Sequence, residues 1–392
     1  MDWSLVAVLL LTLGGPPPRQ SAPQNATCLA CHGQPGAKSP SGQNIYVDPN
    51  HFEKSVHAGL SCTSCHTSIT SFPHSAKAQP VQCSTCHSSE ASDVAVSVHA
   101  KVGTTPCLDC HGDPHSIVPV TNPASPVYPL NVPRTCGTCH SNPSMAQKYG
   151  LPNVYAMYMD SIHGFALTKE GLLVAASCSS CHGTHKILSH TNPQSPTYRT
   201  NIPQTCGKCH AGPEKAYYSG IHGQLLKAGA IQAPTCTDCH TAHNIAEVQS
   251  VAWQMKTSAT CGNCHKQQYS TYLDTFHAQV SALGYTEVAH CWNCHGYHDI
   301  LPPSDPKSMV YPANLVTTCG TCHPGANESF VSYQPHADPR DPHKYQALSA
   351  VTLFMNLLLI SVLGFFGIHT ILWFIRSKFA KRATENGGKG DQ

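Results

Sequence analysis

Two stretches of the chain are almost wholly apolar, and little between them repeats with helical or strand period. The first, Ser4 to Leu13 (SLVAVLLLTL), is too short to cross a bilayer and suits the core of a signal peptide. It runs into Gly14, Gly15 and three prolines, and the first small-residue stretch after it is Ser21-Ala22. Asp2 and the lack of a preceding Lys or Arg depart from the usual leader. Residues 1–24 are expected to be a signal peptide. The second stretch, 347–375, contains VTLFMNLLLISVLGFFGIHTILWFI and is long enough to span. Arg376, Lys378, Lys381 and Arg382 follow it, so the positive-inside rule predicts a cytoplasmic tail over 376–392.

Between these stretches the pattern predicts short helices and loops with little sheet. Proline-rich spans exclude long helices and are expected to be extended loops. Short helices are predicted over 145–163 and 213–228, each leading into a histidine. Only 7% of the residues are aromatic and 11% charged, while 28 Gly and 31 Pro add to 59. That is poor material for an ordinary core in a chain of 392 residues. A net charge of +2 gives no basic field for nucleic acid.

Cysteine supplies the chemistry. Cys-x-x-Cys-His occurs eleven times and uses all 22 cysteines. The pairs are Cys28 and Cys31, Cys62 and Cys65, Cys83 and Cys86, Cys107 and Cys110, Cys136 and Cys139, and Cys178 and Cys181. Cys206 and Cys209, Cys236 and Cys239, Cys261 and Cys264, Cys291 and Cys294, and Cys319 and Cys322 complete them. The sequence is that of c-type haem (heme c) attachment: two thioethers hold the porphyrin and the next histidine ligates its iron. Those proximal histidines are His32, His66, His87, His111, His140, His182, His210, His240, His265, His295 and His323. Zinc ribbons and disulfide frameworks also use such cysteine spacings but leave the histidines unexplained. With histidine at 27 of 392 positions, eleven matches by chance come to about one in 10^13. About eleven covalent haems would supply the apolar bulk that the sequence lacks, and the apoprotein is then expected not to fold.

Ten of the motifs form five tandem units, at about 55–88, 97–142, 161–212, 220–267 and 275–325, with the first motif, 28–32, standing before them. Each unit has a histidine before its first motif: His57, His99, His163, His222 and His277. Another lies between its two motifs: His74, His115, His185, His243 and His298. Three linkers, HGDPHSIVPVTNPASPVYPLNVPRTCGTCH, HGTHKILSHTNPQSPTYRTNIPQTCGKCH and HGYHDILPPSDPKSMVYPANLVTTCGTCH, are one unit repeated. Repeats that cannot bury themselves alone must stack, which predicts an elongated haem domain over 25–345. The ten repeated histidines match the ten distal positions of the paired motifs, so bis-histidine iron is expected throughout. Post-motif histidines such as His115, His185, His243 and His298 lie too close to their own proximal ligand to reach its opposite face, and are expected to serve a neighbouring haem. For the eleventh distal place the candidates are His51, His336 and His343, with His336 preferred; His190 and His290 are read as non-ligands. Seven methionines off the repeat cannot be general ligands, which points to low potentials.

The segments CHGTHKI, CHTAHNI and CHGYHDI, with SVHA, SIHG and GIHG before them, resemble the multihaem c-type cytochromes with doubled CxxCH motifs, over roughly 28–330. YQPHADPRDPHKYQ followed by FFGIHTILWFIRS resembles the junction at which such cytochromes join or partner a membrane cytochrome b. The resemblance implies a membrane-anchored electron-transfer subunit with its haems on the periplasmic side of the cytoplasmic membrane. A cytochrome b-type or other quinol-oxidising subunit would be its partner, and other redox proteins its acceptors. His369 would then ligate a partner's b-haem, contact quinone or serve as an interfacial histidine, while Asn356 reads as helix–helix glue. No catalytic residue is expected. The alternative function is a multihaem reductase or oxidase with one open-coordinate haem.

Overall fold

A computed structural model describes residues 24–74, 78–103 and 106–387. The expected signal peptide lies, but for its last residue, outside the described residues. Among those described there is no strand, only short helices, turns and one isolated bridge between Lys38 and Asn44. Nine apolar side chains are buried among them, Leu167 the most completely, so conventional packing contributes little, as the composition implies.

The described chain falls into two compact units. One runs to Trp253 and takes in His298–Ile300; the other comprises Gln254–Tyr297 and the chain from Leu301 on.

Three of the attachment motifs are single helical turns. Cys178–His182, Cys236–His240 and Cys291–His295 are each one short helix. The residue before each is extended, and its amide donates to the side chain of the second residue between the cysteines: Ser177 to Ser180 at 3.0 Å, Thr235 to Asp238 at 2.6 Å, His290 to Asn293 at 2.8 Å. Residues three and four apart share a helix face. One capped turn therefore puts both thiols and the histidine on the same side.

The short helices expected before these motifs do form, each segment in more than one piece. The 145–163 segment is three pieces, Pro143–Tyr149, Val154–Met159 and Ile162–Thr168. The 213–228 segment is two, Ala211–Ser219 and Ile221–Lys227. Ser161 and Gly220 turn extended just before the histidine, so His163 and His222 start new helices instead of ending old ones. The next residue must be small. A Cβ on Gly164 would strike the Tyr158 carbonyl, and one on Gly223 the Tyr217 carbonyl.

The proline-rich spans are not extended either; they are ladders of turns. In one, Asn122, Ser125, Tyr128 and Asn131 each donate a backbone bond three residues back. Asn192 to Asn201 and Asp305 to Asn314 repeat it. Asn, Asp, Ser and Pro every few residues favour turns over extended chain. Asn131, Asn201 and Asn314 each close a ladder with two side-chain bonds to its carbonyls.

Successive repeats are stapled by one recurring backbone bond. Val56, Val98, Ile162 and Ile221, each directly before a pre-motif histidine, donate to Ile117, Ile187, Ile245 and Ile300 at 2.7–2.8 Å. Each acceptor lies two residues past the post-motif histidine of the next repeat.

The long C-terminal helix, Gln346–Gly387, contains the expected 347–375 span. Its apolar part, Gln346–Phe379, has mean hydropathy 2.3 over its best window and is long and apolar enough to cross a membrane.

Candidate functional site

Ten histidine pairs face each other with ring centres 6.0–6.3 Å apart, and each pair joins one motif histidine to one outside the motifs. The spacing has a physical meaning. A metal–imidazole bond is about 2 Å, and the ring centre lies about 1 Å beyond the nitrogen, so two histidines across one ion sit roughly 6 Å apart. The residues fit six-coordinate haem iron.

The pairing follows two rules. Within a repeat, the pre-motif histidine faces the second motif: His57 with His87, His99 with His140, His163 with His210 and His277 with His323. Between repeats, the post-motif histidine faces the first motif of the preceding repeat: His115 with His66, His185 with His111, His243 with His182 and His298 with His240. The shift by one repeat gives His74 to the first motif's His32 and leaves His295 facing His336. By the sequence count the eleventh distal histidine, with His336 preferred, is left for the first motif; instead His74 faces His32 and His336 faces His295. The two classes also differ in ring angle. Planes meet at 37–77° within repeats and at 5–34° between them.

His222 is the second residue of the helix Ile221–Lys227, and His265 directly precedes Lys266–Leu273, the same local settings as their counterparts in other repeats. His51 contacts Asp48 at 3.6 Å and is exposed, and His343 is exposed too. His190 is exposed. His290 is 3% exposed and stacks on Trp292 at 4.3 Å.

Several ring nitrogens are held from behind. Nδ1 of His32 bonds the Ile45 carbonyl at 3.0 Å, that of His57 the Pro114 carbonyl at 3.2 Å, and that of His115 the Asp113 carboxylate at 3.1 Å. Each bond leaves Nε2 for a metal and fixes the ring's orientation. Burial lowers the pKa of His182, His240 and His295, favouring the neutral form that ligates.

The cysteines are neighbours in chain order. Thiol pairs in hydrogen-bond contact are Cys28 with Cys62, Cys83 with Cys107, Cys136 with Cys178, Cys206 with Cys236 and Cys261 with Cys291. Each joins one motif to the next across a repeat boundary. Within repeats, burial and then the charges of the following motif's cysteines raise Cys65, Cys110, Cys181 and Cys294, the last to about 11.

In the first unit a cavity of about 3360 Å³ is lined by all six motifs from Cys28 to His182, by Cys206, and by apolar side chains such as Val98, Ile117, Val132 and Leu188. A pocket for one ordinary ligand is about 300–1,000 Å³; this is a gallery for several flat apolar cofactors. Among the described residues, no group of three or more His, Cys, Asp or Glu is arranged to close on a bare ion, and no two cysteines are joined in a disulfide. A structural zinc site needs about four such ligands together.

Three tyrosines escaped the sequence reading. Tyr158, Tyr217 and Tyr272 each stand five residues before a pre-motif histidine. Their hydroxyls donate to the carbonyls of Ala176, Pro234 and Ala289, two residues before a motif, at 2.9–3.1 Å. Burial pushes Tyr217 and Tyr272 up to about 12, which keeps both as donors. The signal was present as a fixed Tyr-to-His spacing in three repeats.

Comparison with known proteins agrees with this chemistry. The family model described as "Cytochrome c7 and related cytochrome c" matches residues 18–88, across the first three motifs. That for the "Doubled CXXCH motif" matches residues 229–269, across the fourth repeat's two motifs. Searches of curated proteins and of solved structures return no match. The chain is a multihaem c-type cytochrome with doubled CxxCH motifs. With that class comes covalently bound haem c and a role in electron transfer among redox partners.

Proposed function

We propose that this chain is a membrane-anchored electron conduit carrying eleven bis-histidine haems. It would pass electrons between a quinol-oxidising, cytochrome b-type membrane partner and periplasmic or extracellular acceptors. The observation that carries the reading is the set of ten facing histidine pairs, each matching a motif histidine to one outside the motifs. The fourth repeat carries His222 and His265 at the same two repeat positions. The haems supply reversible one-electron chemistry at iron. The residues do the rest: cysteines attach, histidines fill both axial places, and the turn ladders and apolar lining hold spacing and exclude water. With both axial places filled, substrate has no open iron to bind.

The remaining placement follows from the ends. Residues 1–24 would direct export, 25–345 carry the haems outside, 347–375 span the cytoplasmic membrane, and 376–392 remain inside. Export suits the haems, because c-type attachment takes place outside the cytoplasm. The basic residues after Ile375 support that orientation. His369 stacks on Phe365 at 6.4 Å within the apolar helix, where an ionisable residue suits a partner's haem or a quinone.

Low-temperature EPR on the detergent-solubilised holoprotein, beside a pyridine haemochrome count, tests the proposal. About eleven haems c, all low-spin, are expected. A distinct high-spin haem in the intact protein would instead support a reductase or oxidase.

A further inference from the structure

His336 stands farther from the preceding motif than any other between-repeat histidine. His115, His185, His243 and His298 sit three or four residues after a motif histidine, so covalent attachment beside them fixes their place. His336 lies thirteen residues beyond His323, on the segment leading to the membrane helix. Something else must hold it at 6.2 Å from His295.

One short helix, Lys266–Leu273, supplies the grip. Thr271, 2% exposed, bonds Nδ1 of His336 at 3.0 Å. The same hydroxyl reaches the Gln268 carbonyl at 3.0 Å. Donating there, it accepts from the imidazole N–H and leaves Nε2 free towards His295. Four residues after His336, Arg340 binds the same helix. Its guanidinium donates to Ser270 Oγ at 2.9 Å and to Asp274 Oδ2 at 3.2 Å, and its Nε donates to Asp338 at 2.8 Å. Asp338 also accepts from the Arg340 amide at 2.9 Å, folding the strap on itself. Asp341 then accepts from the amides of His343 and Lys344, and the long helix begins at Gln346.

We propose that Arg340 is a positioning residue for the sixth ligand of the iron bound by His295. The strap over 333–345 would thus close that haem's coordination from the segment leading into the membrane helix. The inference rests on the bis-histidine reading and adds which haem is tied to the anchor, and by what. A planar guanidinium with several fixed donors suits the task, because it sets direction as well as distance. An exposed ion pair adds little to global stability; here it restricts a ligand's position.

The test is carbon monoxide binding to the reduced full-length holoprotein, with EPR and haem count on the same samples. Bis-histidine iron excludes carbon monoxide, so the parent protein should bind none. His336→Ala should bind one per chain and show one high-spin haem. Arg340→Ala should keep its haem count and bind carbon monoxide at that same haem, where the parent binds none. The double variant should still bind only one. Arg340→Lys should recover part of the protection, and His343→Ala should match the parent. Carbon monoxide binding by Arg340→Ala at the parent's level overturns the positioning role. If Arg340→Ala loses haem, Asp274→Asn reads the same contact, and parent-like behaviour there overturns it equally. Carbon monoxide binding or high-spin iron in the parent itself refutes the bis-histidine reading and is seen before any variant is made.

Discussion

A histidine's duty in this protein depends on where its repeat sits relative to the next one. His115 shares a linker with His111 yet faces His66, 6.2 Å away in the preceding repeat. His115→Ala is therefore expected to open the iron of His66, measured as one carbon monoxide-binding haem. In a background with Cys62→Ser and Cys65→Ser, which lacks that haem, the same substitution should open none. Ring angle adds a second residue-scale expectation, since the relative tilt of two axial imidazoles splits the iron orbitals. Inclined pairs such as His99 and His140, at 77°, and parallel pairs such as His182 and His243, at 6°, should give two families of low-spin EPR signals. A third concerns Tyr217. Tyr217→Phe strands the Pro234 carbonyl and should cost about 1–2 kcal/mol, read as a lowered thermal midpoint with the haem count unchanged.

The elements of this fold are mostly too short to stand alone, since isolated helices below about 12 residues are marginal in water. Capped turns, turn ladders and interrepeat staples fix them instead. The proline-rich linkers hold themselves: Asn201 bonds the Pro193 and Ser195 carbonyls at 2.9 and 2.8 Å, and Thr205 bonds the Pro196 carbonyl at 2.7 Å. Asn201→Ala should remove about 1–3 kcal/mol of local stability. Hydrogen exchange should show it as faster exchange at Ser195 and Tyr198, with other linkers unaffected.

At the scale of the whole molecule, cofactor attachment and folding are expected to be one event. Nine buried apolar side chains among the described residues cannot order a chain of this length. The gallery in the first unit puts apolar side chains, thiols and histidines on one surface, so the haems would complete the core they are bound by. The long apolar helix is a separate matter. A chain ending at residue 345 keeps His336 and Arg340, so it should leave the membrane fraction with its haem count and low-spin spectrum intact. Fractionation and EPR of the truncated holoprotein check this.

Much of this protein is written in its sequence because covalent chemistry is local. Two thiols and a histidine within five residues define an attachment site in any fold, so all eleven motifs, the cofactor class and the repeat were legible directly. The apolar run 347–375 was legible for a similar reason: length and hydropathy alone make a helix that can span. Distal pairing was not legible, because it joins residues that only the packing of one repeat on the next brings face to face. The order of repeats cannot reveal that His74 turns back to His32, or that His336 closes the series at His295. The helix breaks at Ser161 and Gly220 were hidden for the same reason. Each break is followed by a new helix carrying a histidine, and in the first of them His163 faces His210, a contact that exists only in the folded chain.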